Sequence, residues 1–249
     1  ELQFVAQNLT AYGLDIYKEK RIAELVNRIA DIDGVEWIRL HYAYPVGFPL
    51  DLLDTIRQRE NVCNYLDMAI QHCNTKMLKL MRRNMTKEQL IELIATIRDR
   101  VPGIYLRTTV MTGHPGETQS DFDELYEFIK EQRFERMGVF AYSHQSGTYC
   151  DKNYLDNIPQ SVKIERALSL MSLQRSIYES LNDSLVGTFE KVIIDGKHGG
   201  YYVGRGEHST PMADPKIYVS SNLSLNIGDF YNVKITGVRG KDINGEIIN

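Results

Sequence analysis

Cysteine is scarce in this chain of 249 residues: there are three, Cys63, Cys73 and Cys150. An odd number at scattered positions excludes a disulfide framework and points to a reducing compartment. No C-x-x-C pair occurs, which excludes a zinc ribbon. Three cysteines could hold an iron–sulfur cluster, but at these positions, near strand ends, they read as small core residues. Long apolar runs are missing as well, and none approaches the roughly 18 residues that a membrane span requires. There is no basic surplus either. A net charge of −4 and a pI of about 5.9 argue against a long phosphate backbone as the main partner. No secretory leader opens the chain, so the expected location is cytoplasmic, away from membranes. The chain starts at Glu1 directly on the apolar run Leu2 to Ala6, an opening that predicts truncation.

What is present is ordinary for a globular protein: 43% hydrophobic and 25% charged residues. The length fits one medium domain plus a small one, or one large domain. The first three-quarters alternates strand and helix patterns. Strands are expected at 2–6, 37–42, 65–70, 104–111 and 137–142. Helices are expected at 20–32, capped by Gly34, then at 51–59 with Asp51 as N-cap, 75–81, 86–100 and 120–131. Thr86 and Gln89 have capping-box spacing. Strands alternating with helices predict parallel βαβ units, in a (β/α) barrel or a doubly wound sheet. A long helix follows at 162–182, with Ile164, Leu168, Met171 and Ile177 on one side. After Gly187 only short strands and turns remain: 189–194, 201–204, 216–219, 230–238 and 245–248. They suggest a small β-barrel of the OB type. The expected domains are 1–180 and 181–249.

The most distinctive stretch is Leu106 to Thr118, which leaves a strand through Gly113, Pro115 and Gly116 and enters a helix. Ligands of parallel α/β folds bind at such strand ends, where glycine lets backbone approach a ring or a phosphate. In the strand Tyr65–Ile70, alternation puts Asp67 and Ala69 on one face, with Gln71 beyond, and Leu66, Met68 and Ile70 on the other. A carboxylate on a barrel strand needs a partner. Asp67 is placed either to bind ribose hydroxyls or to pair with a neighbouring cation such as Arg107. Arg82 and Arg83 close a helix, where they suit the helix dipole or a ligand carboxylate. His41, His72, His114 and His144 lie at or past strand ends. None has helical metal-pair spacing, so acid–base or polar lining roles are expected rather than a metal.

In order and spacing, Ala6-Gln-Asn-Leu-Thr-Ala-Tyr-Gly13, Asp67 to His72, Met81-Arg-Arg83 and Gly113-His-Pro-Gly-Glu117 resemble the radical-SAM methylthiotransferases. The resemblance covers essentially the whole chain. It implies a partial (β/α) radical-SAM barrel followed by a small all-β, OB-like TRAM domain. It also implies S-adenosylmethionine (SAM) and two [4Fe–4S] clusters in the complete enzyme. One cluster belongs to an N-terminal domain and one to a C-x-x-x-C-x-x-C loop that Cys63, Cys73 and Cys150 do not match. On that ground no residue here is assigned as catalytic or as a metal ligand, and the chain alone is expected to be inactive. By motif match, Gln7, Asp67, Gln71, Arg107, Gly113, Pro115, Gly116, Glu117 and Tyr142 would line the SAM pocket. Asp67 would meet the ribose or amino group, and Arg107 the carboxylate. Ala69, Asn84 and His114 stand where the family often has Pro, Gly and Phe, which bears on pocket geometry.

Leu40-His-Tyr-Ala-Tyr-Pro45 and Gln71-His72 are most similar to the branch that methylthiolates an aspartate of ribosomal protein S-twelve, free or on the ribosome. The near-neutral terminal segment agrees with a protein substrate. The alternatives are a tRNA adenosine methylthiotransferase, expected to carry a basic face on the TRAM-like barrel, and a non-catalytic (β/α)-plus-OB binding module.

Overall fold

The structure is a computed structural model and describes residues 1–211 and 213–248. The chain divides into two compact units, Glu1–Gln174 and Arg175–Asn249.

The first unit is built on a five-stranded parallel sheet in the order β1 (Leu2–Phe4), β2 (Ile38–Ala43), β3 (Val62–Met68), β4 (Tyr105–Thr112), β5 (Arg136–Ala141). Spatial order equals chain order because each crossover helix returns the chain to the neighbouring position. These helices are α1 (Ile22–Ala30), α2 (Asp51–Gln58), the pair α3 (Thr75–Leu80) and α4 (Lys87–Arg100), and α5 (Gln119–Gln132). The sheet buries Ile38, Leu40, Leu66, Leu106 and Val110, and the helices bury Ile22, Val26, Leu52, Leu53, Ile94, Leu125 and Phe128. In β4, burial alternates residue by residue: Leu106, Thr108 and Val110 are buried, while Arg107, Thr109 and Met111 are only half-buried. Asp67 is in register with Arg107 across β3 and β4.

The Thr86 capping box forms as expected, with the Thr86 side chain accepting from Gln89 N–H and the Gln89 side chain accepting from Thr86 N–H. Other local expectations are corrected. Helix α1 stops at Ala30, and Gly34, at φ +83°, lies in the turn that follows. Asp51 is the first helical residue rather than the N-cap; Leu50 holds that position without a side-chain bond. A short helix, α6 (Tyr149–Asn153), follows β5, with Thr148 as its cap.

The largest correction concerns α7 (Gln160–Leu185). Of its four expected inward residues only Ile177 is buried; Ile164, Leu168 and Met171 are exposed. Its buried positions include Lys163, Arg166, Ala167, Leu170 and Gln174. Apolar spacing misreads this helix because its buried cations have partners: Lys163 Nζ reaches Asp156 at 2.6 Å, and Arg166 Nη1 reaches Glu117 at 2.6 Å.

The second unit is a closed barrel in the order β10-β8-β7-β6-β9. Its strands are β6 (Phe189–His198), β7 (Tyr201–Arg205), β8 (Ile217–Ser220), β9 (Phe230–Arg239) and β10 (Asp242–Ile247). Closure comes from β10, which runs antiparallel to β9 and parallel to β8. Val192, Ile194, Val219, Val233 and Ile235 are fully buried in its core. Among the described residues, no helix is long and apolar enough to cross a membrane.

Candidate functional site

The candidate side chains lie where β3 ends and along β4. Asp67 is the penultimate residue of β3, the chain continues through Ala69 to Gln71, and Arg107 and Thr109 stand on β4. With Gln7, Tyr44, Arg83 and Phe140 they border a cavity of about 360 Å3. Asp67 is 5% exposed; its carboxylate lies 3.6 Å from His41 Nδ1 and 4.0 Å from Arg107 Nε. The second distance is at the limit of an ion pair. Arg83 donates from Nη1 to the Ala69 carbonyl at 2.7 Å and stacks over Tyr44. Burial draws its guanidinium below the ordinary value while Tyr44 acts the other way.

A second cavity of about 410 Å3 adjoins the first, sharing Gln71 and Arg83 with it. Arg82, Met111, His114, Tyr142 and Cys150 complete this wall. Three non-glycine residues at these cavities hold left-handed backbone: Tyr42 at φ +56°, Gln71 at +66° and Arg82 at +58°. Such positions cost about 1–3 kcal/mol each and cluster where geometry serves a ligand. Gln71 is pinned by ladder bonds, its N–H to Thr109 O and its carbonyl to Met111 N–H, both at 2.8 Å.

Of the nine residues the sequence points to, Gln7, Asp67, Gln71 and Arg107 border the first cavity, and Tyr142 borders the second. Gly113, Pro115, Gly116 and Glu117 are not among the residues that border these two cavities. The Glu117 side chain is fully buried and turns back into the protein. It accepts from Gly113 N–H at 2.9 Å and from Arg166 at 2.6 Å. Burial pushes its carboxyl up, while Gly113 N–H and Arg166 pull it down. This turn therefore shapes the wall from behind. Tyr44, Thr109 and Phe140 escaped the sequence reading. Strand alternation from Arg107 and Met111 would have found Thr109; nothing local marks Tyr44 and Phe140.

Gly113 allows the turn to pack. Its φ is +72°, and a Cβ there would stand 2.2 Å from Lys163 Cγ. Lys163 cannot step aside, because Asp156 holds its ammonium and its carbonyl accepts from Thr112 Oγ1 at 3.0 Å. Gly113→Ala is expected to destabilise the fold by about 2 kcal/mol or more, read as a lowered denaturation midpoint. An unchanged midpoint would show that the turn tolerates a side chain.

Behind Gln71 lies His72, fully buried. Its Nδ1 accepts from the N–H groups of Cys73 and Asn74, both at 3.0 Å, so the ring proton is on Nε2, 3.7 Å from Glu117 Oε2. Burial pushes the imidazole down to about 4 from 6.5. Between those values the unfolded chain binds more protons than the folded one. The stability that His72 contributes is therefore complete above pH 6.5 and is lost as pH falls toward 4, on the order of 3 kcal/mol across the window. His72→Gln should flatten that part of the stability–pH curve in guanidinium titrations. An unaltered slope would assign the loss to other groups.

The donors of the first cavity suit SAM. Arg83 and Arg107 offer cations for a carboxylate, and Asp67 offers an acceptor for hydroxyl or ammonium groups. The cysteines do not fit an iron–sulfur cluster. Cys63 and Cys73 are buried apart from the cavities, and Cys150 contacts Tyr142 and His114. Among the described residues, no group of three or more His, Cys, Asp or Glu comes together to hold a metal.

Residues 6–129 match the model of the radical SAM superfamily, and residues 186–248 match that of the TRAM domain. A radical-SAM domain followed by a TRAM domain is thus the class to which the site belongs. The whole chain is 53% identical to the ribosomal protein uS12 methylthiotransferase RimO of Porphyromonas gingivalis. It is 51% identical to the protein of that name from Parabacteroides distasonis and 50% to that from Bacteroides thetaiotaomicron. The chain belongs to the radical-SAM methylthiotransferase family. It spans 57–58% of the length of these relatives. Among solved structures, coproporphyrinogen III oxidase HemN from Escherichia coli aligns with a TM-score of 0.47 and 20% identity, over 65% of this chain and 36% of that one. At that score it adds nothing to the assignment.

Proposed function

We propose that this chain forms the SAM-binding and substrate-recognising part of an enzyme that methylthiolates an aspartate of ribosomal protein uS12. The observation that carries this reading is the 53% identity along the entire chain to RimO, with Gln7, Asp67, Gln71 and Arg107 at the first cavity and Tyr142 at the second. SAM supplies radical chemistry and a methyl group when bound. Arg107 would hold its carboxylate and Asp67 its ribose or amino group, with Gln71, common to both cavities, as a further contact. Residues 1–180 would act as the SAM-binding domain and 181–249 as the TRAM domain that meets the substrate. Over 186–248, seven Lys and Arg are balanced by seven Asp and Glu, which favours a protein over tRNA. The cluster ligands are not among Cys63, Cys73 and Cys150, so this chain alone should bind SAM without cleaving it. The complete product of the gene would carry two [4Fe–4S] clusters and act in the cytoplasm.

The test is anaerobic reconstitution of the complete gene product with iron, sulfide and SAM, offering uS12 and bulk tRNA together. A methylthio mass gain on an aspartate of uS12 supports the proposal. A gain on tRNA adenosine overturns the substrate. SAM cleavage with neither modified overturns both substrates.

A further inference from the structure

Cys150 stands apart from the other two cysteines. Cys63 and Cys73 are 1% and 0% exposed, and burial pushes the Cys73 thiol up to about 12. Both are chemically inert in the folded chain. Cys150, in α6, is half-buried and forms part of the wall of the second cavity.

Two groups converge on its sulfur. The Tyr142 hydroxyl donates to Sγ at 3.1 Å. His114 Nε2 lies 3.6 Å from Sγ. The state of that imidazole follows from its other nitrogen: Nδ1 stands 2.9 Å from the Pro115 carbonyl, which can only accept, so Nδ1 carries the proton. Nε2 then presents a lone pair to the thiol. His114 is itself 5% exposed and lines the same cavity, and burial holds its imidazole below the ordinary value, in the proton-accepting form near neutrality. Tyr149 and Tyr154 pack around this group, and the nearby Lys163 ammonium is neutralised by Asp156. A base fixed by its second nitrogen, facing a thiol at a cavity wall, is the arrangement that activates a cysteine.

We propose that Cys150 is a thiol-modification site, activated by His114 and Tyr142, that reacts with low-molecular-weight disulfides entering the second cavity. In the step, the Cys150 S–H proton passes to His114 Nε2 and the thiolate attacks one sulfur of the disulfide. A new S–S bond forms at Cys150, the reagent's S–S bond breaks, and the departing thiolate takes the proton from His114. Cys150 is oxidised and the released thiol is reduced, so no further oxidant is needed. The adduct occupies cavity volume beside Gln71 and Arg83. The chemistry at Sγ does not depend on the proposed function.

The test uses the chain with 4,4′-dithiodipyridine at neutral pH, followed by intact mass and peptide mapping. The folded chain should acquire one label, on Cys150, faster than any thiol of the urea-unfolded chain, which should acquire three. His114→Asn should slow Cys150 labelling about tenfold, through loss of the base that takes the thiol proton. Silence of Cys63 and Cys73 reports that the variant is folded. If His114→Asn exposes them, Tyr142→Phe takes its place, with an expected slowing of about threefold. A Cys150 no faster than the unfolded thiols overturns the proposal, and so does an unchanged rate in the folded variant.

Discussion

If the proposed SAM site is right, Arg107→Ala should lower the affinity of this chain for SAM on the order of a hundredfold, the expected loss for a charge-assisted pair to a carboxylate in a shielded cavity. Arg107 is suited to that role by its position. It stands on the half-buried face of β4, opposite Asp67 in register, yet its Nε comes no closer than 4.0 Å to that carboxylate. Arg107→Lys should recover only part of the affinity, because an ammonium cannot reproduce the planar fork. Titration calorimetry on the purified chain reads both variants without any need for turnover. If Arg107→Ala binds SAM as tightly as the parent, the carboxylate contact belongs elsewhere, and Arg83 is the next cation on that wall.

Arg166→Met destabilises the first unit by about 3–5 kcal/mol, because it leaves the Glu117 carboxylate buried without its cation. Glu117 is fully enclosed. Once Arg166 is gone it keeps the Gly113 N–H at 2.9 Å and the more distant His72 Nε2 at 3.7 Å. In a unit of this size, such a loss should lower the melting temperature by roughly 10 °C. Replacing both partners, as Arg166→Met with Glu117→Leu, should recover much of the stability, since no uncompensated charge then remains. Guanidinium unfolding of the parent, single and double variants decides this. A single-variant loss below about 1 kcal/mol would place the pair among weak surface bridges. The pair also joins the 113–117 turn to α7, so part of the loss should appear as weaker SAM binding through movement of His114.

The helices of the first unit were legible because their signals are local. The Thr86–Gln89 box depends on residues within one turn. Alternation in β3 likewise placed Asp67 and Ala69 on one face, with Gln71 beyond them, before any contact was known. The reading failed at α7, where Lys163 and Arg166 are buried because Asp156, just before the helix, and Glu117, 49 residues away, await them. Periodicity counts apolar residues and cannot see that a cation has a partner.

The same division runs through the site. Side-chain chemistry and spacing along one strand or loop are properties of the chain itself, and they were enough to mark the family and the residues Gln7, Asp67, Gln71 and Arg107. The direction taken by Glu117, the tautomers of His72 and His114, and the pairing of Cys150 with His114 across 36 residues arose only on folding. Each depends on which buried donors and acceptors meet once water is excluded, and a buried polar group takes whatever partner the packed neighbours provide.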